Sequence, residues 1–314
     1  MAAWYDQVKQ ELKRSPKRWL VTGVAGFIGC NILEELLKLG QEVVGIDDFS
    51  GGFQRNLDSV RDQVGSELYQ RFKFHQGDIN DNKLLSKVFP GVQIVLHQAA
   101  RGSVPRSIED PVRTNLDNVS GTVEVFHAAV KAGAKRVVYA SSSSVYGDHP
   151  ELPKIENKVG KPLSPYAASK TACELYAQAF SNSYGLELIG LRYFNVFGPR
   201  QNPEGPYAAV IPVWISHLLA GKECIIYGDG TTSRDFCYVS NVVQANILAG
   251  VCPNAEALGK DYNIAVGGEL SLKELHQGLC KLTVGKITEP SFKDFRKGDV
   301  KHSRADISLA RKLL

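Results

Sequence analysis

Tyr166 and Lys170 have the types and spacing to do chemistry together. Four positions apart, they share one face of a helix. A lysine ammonium beside a phenol favours the phenolate and lowers a pKa that, at about 10 for a free tyrosine, makes a poor base at neutral pH. A phenol tuned in this way exchanges a proton with an alcohol. A serine run, Ser141-Ser142-Ser143-Ser144, stands upstream and offers a hydroxyl to complete a proton path. An isolated Tyr–Lys pair of this spacing is common surface chemistry, so its meaning depends on what positions it.

A second group of residues suits a dinucleotide. Gly23-Val24-Ala25-Gly26-Phe27-Ile28-Gly29 follows the apolar run Trp19–Thr22 and opens a helix-period stripe of Ile28, Ile32, Leu36 and Leu39. Glycine admits positive φ and lets backbone amides approach a pyrophosphate. The spacing is G-x-x-G-x-x-G rather than the G-x-G-x-x-G of the usual fingerprint. Asp47 lies 18 residues past Gly29, after the apolar run Val43–Ile46. A carboxylate there accepts hydrogen bonds from adenosine ribose hydroxyls and repels a 2′-phosphate. The next basic residue is Arg55, so the expected cofactor is NAD rather than NADP. Asp78 and Ile79 are placed to meet the adenine, and Gln98, with Ala99 and Ala100, to stand beside the cofactor.

These residues need a frame, and the hydrophobic pattern supplies one. Short apolar runs at 19–22, 43–46, 72–74, 92–96, 136–140 and 186–191 alternate with helix-period segments. That alternation predicts an α/β fold, a Rossmann-type doubly wound parallel sheet, with ligands at the C-terminal ends of the strands. Each of these motifs falls at such an end. Trp4, Val8 and Leu12 predict a short amphipathic helix stopped by Pro16. After residue 197 prolines and glycines crowd together, which marks a smaller α/β substrate-binding domain. The expected division is 1–197 for the NAD-binding domain, with 236–268 partly returning to it as a strand at Tyr262–Ala265, and 198–314 for the smaller domain.

Composition bounds the function. The chain has 314 residues, 43% of them hydrophobic, and a formal net charge of +4. That charge has no arginine or lysine stripe behind it, so no nucleic-acid partner is expected. The six cysteines lack C-x-x-C spacing, which leaves no metal site and fits a reducing cytosol. No run approaches the length of a membrane span, and the charged N-terminus has no secretory pattern. The expected location is cytoplasmic.

Taken together, the Gly23 turn, Asp47, Asp78, the Ser142 cluster and Tyr166/Lys170 resemble the extended short-chain dehydrogenase/reductase family, from about residue 18 onward. Within it the chain is similar to UDP-hexose and UDP-N-acetylhexosamine 4-epimerases, especially the bacterial type acting on UDP-N-acetylglucosamine and its uronic acid. The resemblance implies bound NAD and a Ser142/Tyr166/Lys170 triad. It implies a cofactor site of Gly23, Gly26, Phe27, Ile28, Gly29, Asp47, Asp78, Ile79, Gln98, Tyr166, Lys170 and Val196. Dehydratases and decarboxylases of the family carry an acid just before the Val-Tyr-Gly segment, where this chain has Ser144. Asn195 matches the UDP-hexose type, in which the amide contacts the diphosphate.

For the sugar nucleotide, the resemblance points to Arg234 and Arg296 as diphosphate ligands and Asp299 as a ribose ligand. Ala209, Val210 and Tyr227 would wall the base, and Ser103, Ser142 and Ser143 would meet the sugar. Arginine suits this task because its planar fork takes phosphate bidentately. Ser303 aligns with a tyrosine in epimerases restricted to non-acetylated sugars, and a small residue there leaves room for an N-acetyl group. Arg101 and Arg106 keep a uronic acid in play. The expected activity is NAD-dependent 4-epimerisation of UDP-N-acetylglucosamine and UDP-N-acetylgalactosamine through a 4-keto sugar, with UDP-glucose and UDP-galactose as a further pair, in the service of polysaccharide synthesis. A UDP-N-acetylglucosaminuronate 4-epimerase and a non-catalytic nucleotide-sugar-binding protein are the alternatives. Family members usually run some twenty residues further, so the resemblance implies a C-terminally truncated small domain. A homodimer is expected through helices near 115–132 and 167–184, with Phe126, Tyr176 and Phe180 as interface candidates. Asp117 has no assigned role.

Overall fold

The computed structural model describes residues 2–204, 208–283, 285, 287–295 and 301–314. The chain opens with α1 (Ala2–Arg14), β1 (Arg18–Thr22), α2 (Phe27–Lys38), β2 (Glu42–Asp47), α3 (Gln54–Tyr69), β3 (Phe72–Gln76), α4 (Asn82–Val88) and β4 (Ile94–His97). Next come α5 (Val104–Glu109), α6 (Pro111–Asn115), a π-helical turn over Leu116–Ser120, α7 (Gly121–Ala132), β5 (Arg136–Ser142), α8 (Pro165–Tyr184), β6 (Glu187–Tyr193) and β7 (Val196–Phe197). The remainder comprises α9 (Val210–Leu219), β8 (Ile225–Tyr227), β9 (Ser233–Arg234), β10 (Cys237–Tyr238), α10 (Val239–Val251), β11 (Lys260–Ile264), β12 (Leu270–Ser271), α11 (Leu272–Thr283), β13 (Ser291–Lys293), β14 (His302–Ser303) and α12 (Ser308–Leu313).

Seven strands form one parallel sheet in the order β11-β6-β5-β4-β1-β2-β3. Near-continuous burial along β1, β2 and β4 explains why these segments read as unbroken apolar runs. Both faces of a parallel sheet are covered by helices. One face packs α2, α10 and part of α1 around Trp19, Val21, Leu33 and Ile247, and the other gathers Leu20, Val95, Val125 and Phe126. A separate apolar cluster around Ile211, Trp214, Ile226 and Leu275 joins α9, β8 and α11. The sheet order reverses between β1 and β4, so the loops leaving those strands diverge and open a crevice between them.

Two of the three proposed interface aromatics are core residues. Phe126 and Phe180 are buried and pack edge-to-face at 5.6 Å, so the apolar pattern that suggested an interface is satisfied within the chain. Tyr176 is exposed. Among the described residues no helix is long and apolar enough to cross a membrane.

Candidate active site

The crevice at the C-terminal edge of the sheet has a volume of about 370 Å³. Its floor is the glycine turn between β1 and α2. Gly23 has φ +66°, and a Cβ there would lie 2.8 Å from the Ala99 backbone nitrogen. At Gly29 an added Cβ would fall 2.1 Å from the Gly23 carbonyl oxygen, so neither position admits a side chain. At Gly26 an added Cβ would meet only the Gly23 oxygen, at 3.2 Å, and would otherwise occupy the crevice itself. Helix α2 starts without a side-chain cap, which leaves its first amides free of intrahelical partners. Phe27, Ile28 and Gly29 of that first turn line the crevice. A bare floor at the positive end of a helix fits an anionic pyrophosphate.

Asp47 joins the turn to β2. Its carboxylate accepts from the Ala25 amide at 2.9 Å and from the Phe49 amide at 2.8 Å. Burial pushes its carboxyl above the ordinary value, and those amides oppose the shift. Asp78 and Ile79 line the crevice beyond β3, with Asp78 3.5 Å from the Arg113 guanidinium. Gln98 is fixed by Asn246 and by the Tyr193 hydroxyl, each at 2.9 Å.

Tyr166 and Lys170 enter the same crevice from α8. Ser164 caps that helix by accepting from the Ala167 amide, Pro165 occupies its first turn, and the Tyr166 amide donates to Ser107 at 3.0 Å. Lys170 is buried, and its ammonium donates to the Ala140 carbonyl of β5 at 2.8 Å. One turn further, Glu174 receives two hydrogen bonds of 2.9 Å from Arg192 and one of 2.6 Å from Ser141. Positions 166, 170 and 174 stack on one helix face, so this buried ion pair sets the rotation of α8 that aims the other two into the crevice.

Three further residues here have no assignment from sequence. Asn118 lies in the π-helical turn, a feature often found at functional sites. Its amide oxygen accepts from the Arg101 backbone at 2.7 Å, and its amide nitrogen donates to Ser169 at 2.9 Å. It therefore ties the loop after β4 to α8 between Tyr166 and Lys170. His97 is buried between Thr22 and Thr122, at 2.7 and 3.0 Å. Burial, then the Lys170 charge, lowers its pKa to about 3, so it is neutral. Glu174 had a legible signal, lying four residues past Lys170. Asn118 and His97 had none, because their partners are remote in sequence.

Of the sequence-derived set, Gly23, Gly26, Phe27, Ile28, Gly29, Asp47, Asp78, Ile79, Gln98, Tyr166 and Lys170 all line this crevice. Ser142 and Ser143 follow Ser141, which lines the crevice, and Ser142 accepts from the Ser144 amide at 3.2 Å. Val196 lies in β7 beside β10. The rest of the described set do not line this crevice. Asn195 has φ +35° and donates to the Asp235 carbonyl at 3.1 Å. Ser103 has φ +107° and accepts from the Arg106 amide at 3.3 Å. Backbone strain of this kind in non-glycine residues gathers at functional sites. Arg234 and Ser303 are register partners in adjoining short strands, β9 and β14. Ala209 and Val210 start α9, and Tyr227 ends β8. Arg296 and Asp299 lie outside the described residues.

The NAD dependent epimerase/dehydratase family matches residues 19–265. A UDP-glucose 4-epimerase of Mycolicibacterium smegmatis is 40% identical over 95% of this chain and 92% of its own length. A UDP-glucuronate 4-epimerase of Thermodesulfobacterium geofontis is 36% identical over 94% and 90%. Among solved structures, a UDP-N-acetylglucosamine 4-epimerase from Methanobrevibacter ruminantium M1, in complex with UDP-N-acetylmuramic acid, superposes with a TM-score of 0.87 at 38% identity, covering 95% of this chain and 92% of that one.

Proposed function

The chain belongs to the NAD dependent epimerase/dehydratase family, and from that premise we propose that it is an NAD-dependent UDP-sugar 4-epimerase, an isomerase, whose preferred pair is UDP-N-acetylglucosamine and UDP-N-acetylgalactosamine. The observation that carries the reading is the meeting of Tyr166 and Lys170 with the glycine turn and Asp47 in one crevice. Held by the glycine turn and Asp47, NAD would supply the acceptor and then the donor of the hydride at sugar C4. Tyr166 takes the proton of the 4-hydroxyl and returns it, with Ser142 bridging hydroxyl and phenol. Lys170 offsets the charge that develops on the Tyr166 oxygen, and its hold on the Ala140 carbonyl fixes where that charge sits. Arg234 and Asn195 grip the diphosphate so that the flat 4-keto sugar can present either face while the nucleotide stays bound.

Two features support the choice of sugar. Ser303 sits in register with Arg234, so the residue beside the diphosphate arginine is small and leaves room for an N-acetyl group. The segment Ser141–Ser144 contains no acid for dehydration. The identity with a UDP-glucuronate 4-epimerase and the presence of Arg106 on the crevice wall support a uronic acid as the second reading. Product analysis by NMR with UDP-N-acetylglucosamine, UDP-glucose and UDP-N-acetylglucosaminuronate in parallel tests both. Conversion of the first, fastest and without net NADH, is the expected outcome; conversion of the uronate alone would replace the first reading by the second. In Ser303→Tyr, turnover of the acetylated pair should fall by at least about tenfold relative to the non-acetylated pair, roughly the worth of a filled pocket.

A further inference from the structure

The glycine turn offers a pyrophosphate only amides, since Gly23–Gly29 contains no cation. The positive charge must come from another wall. Arg101, in the loop after β4, lines the crevice together with the turn. Its guanidinium is loosely held, 3.9 Å from Asp110 and 3.9 Å from Asp117, both beyond hydrogen-bond distance. Its Nε is buried without a hydrogen-bond partner. Asp117 does not depend on it, because Arg113 already pairs with that carboxylate at 2.7 Å. The backbone at Arg101 is firm, clamped on both sides by Asn118. A fixed stem thus carries a charged head with an unmet donor. Two further cations line the crevice, Lys170, whose ammonium donates to Ala140, and Arg106.

We propose that Arg101 is a binding residue for the dinucleotide's pyrophosphate, closing on it from the loop after β4 while Asp117 stays with Arg113. A guanidinium matches this role because its terminal nitrogens take two phosphoryl oxygens in parallel. The loose carboxylate contacts hold the head near the crevice when no phosphate is present and are weak enough to yield, as partly exposed pairs of this length contribute little.

The inference rests on reading the crevice as the dinucleotide site, and the test separates the two. Binding of ADP and of adenosine is measured by calorimetry on protein freed of cofactor, for the unaltered chain, Arg101→Gln and Arg101→Lys. Adenosine carries no phosphate. Arg101→Gln should weaken ADP binding by about ten- to hundredfold, the worth of a charged hydrogen-bonded pair, and leave adenosine within twofold. Arg101→Lys should keep part of the ADP affinity and lose the rest with the fork, and it answers the question if the glutamine variant does not fold. An ADP affinity unchanged in both variants overturns the proposal, as does an equal loss for adenosine, which marks a loop-packing role. Failure of the unaltered chain to bind ADP in competition with NAD overturns the reading of the crevice itself.

Discussion

Replacing Glu174 by glutamine removes one charge from the most enclosed ion pair among the described residues. In the native chain Glu174 and Arg192 are both buried, joined by two hydrogen bonds of 2.9 Å. Glutamine retains one acceptor and turns an amide toward the guanidinium, so one charged bond is lost and two donors oppose each other. Breaking a buried pair from one side costs about 3–5 kcal/mol. Asp261, 3.8 Å from Arg192, offsets part of that, which puts the expected loss at about 3 kcal/mol. For 314 residues the unfolding entropy is about 0.66 kcal/mol per kelvin, so the melting temperature should fall by about 4–5 °C.

The loss should also depend on pH. Burial, then the like charge of Glu174, raises the Asp261 carboxyl to about 6. A carboxyl raised in the fold contributes stability below its unfolded pKa, near 4, and loses it as pH rises through 6. Without the Glu174 charge, Asp261 ionises earlier and serves as the partner of Arg192. The gap between variant and native chain should therefore narrow from pH 4.5 to 7.5. Circular dichroism melts at both pH values, with turnover measured well below either melting temperature, read the two effects. Because 174 shares its helix face with 166 and 170, kcat should fall while KM for the sugar nucleotide holds. A melting shift under about 1 °C, or a gap that widens with pH, would refute the reasoning.

Other consequences follow from the same geometry. Tyr166→Phe should lower kcat by at least about a thousandfold, the upper range for a proton-transfer group, while UDP-sugar affinity measured by calorimetry stays within a few-fold. His97, held neutral with its pKa near 3, contributes stability that is present above the unfolded value near 6.5 and is lost as pH falls below it, at about 1.4 kcal/mol per unit. Urea midpoints at pH 7 and 5 should accordingly converge in His97→Gln, and equal slopes in both proteins would count against that account. All six cysteines are buried and unpaired, and burial pushes the Cys30, Cys224 and Cys237 thiols up to about 12, 11 and 12. A thiol-reactive disulfide reagent should leave the native chain untouched and label six groups after denaturation.

Sequence alone determined what depends on local period and on residue type. The buried strands read as apolar runs because both faces of a parallel strand are covered, and Trp19–Thr22 and Val43–Ile46 proved to be neighbours in register. Gly23, Gly29 and Asp47 were legible because few other residues satisfy a turn whose carbonyl stands 2.1 Å from where a Cβ would go. Tyr166 and Lys170 were legible as a pair on one face. Tertiary structure alone decided the contacts made at long range. Asn118 binds Ser169 across 51 positions, and Arg192 reaches back 18 to Glu174; no window of sequence contains both partners of the first. Phe126 and Phe180 show the same limit, for an apolar helix face points as readily to a partner chain as to the core, and only the packing of α7 against α8 makes them core. Arg101 and Asp117 likewise became neighbours only when the loop after β4 folded onto the π-helical turn, because charge in a crevice is set by the elements that enclose it and not by their order along the chain.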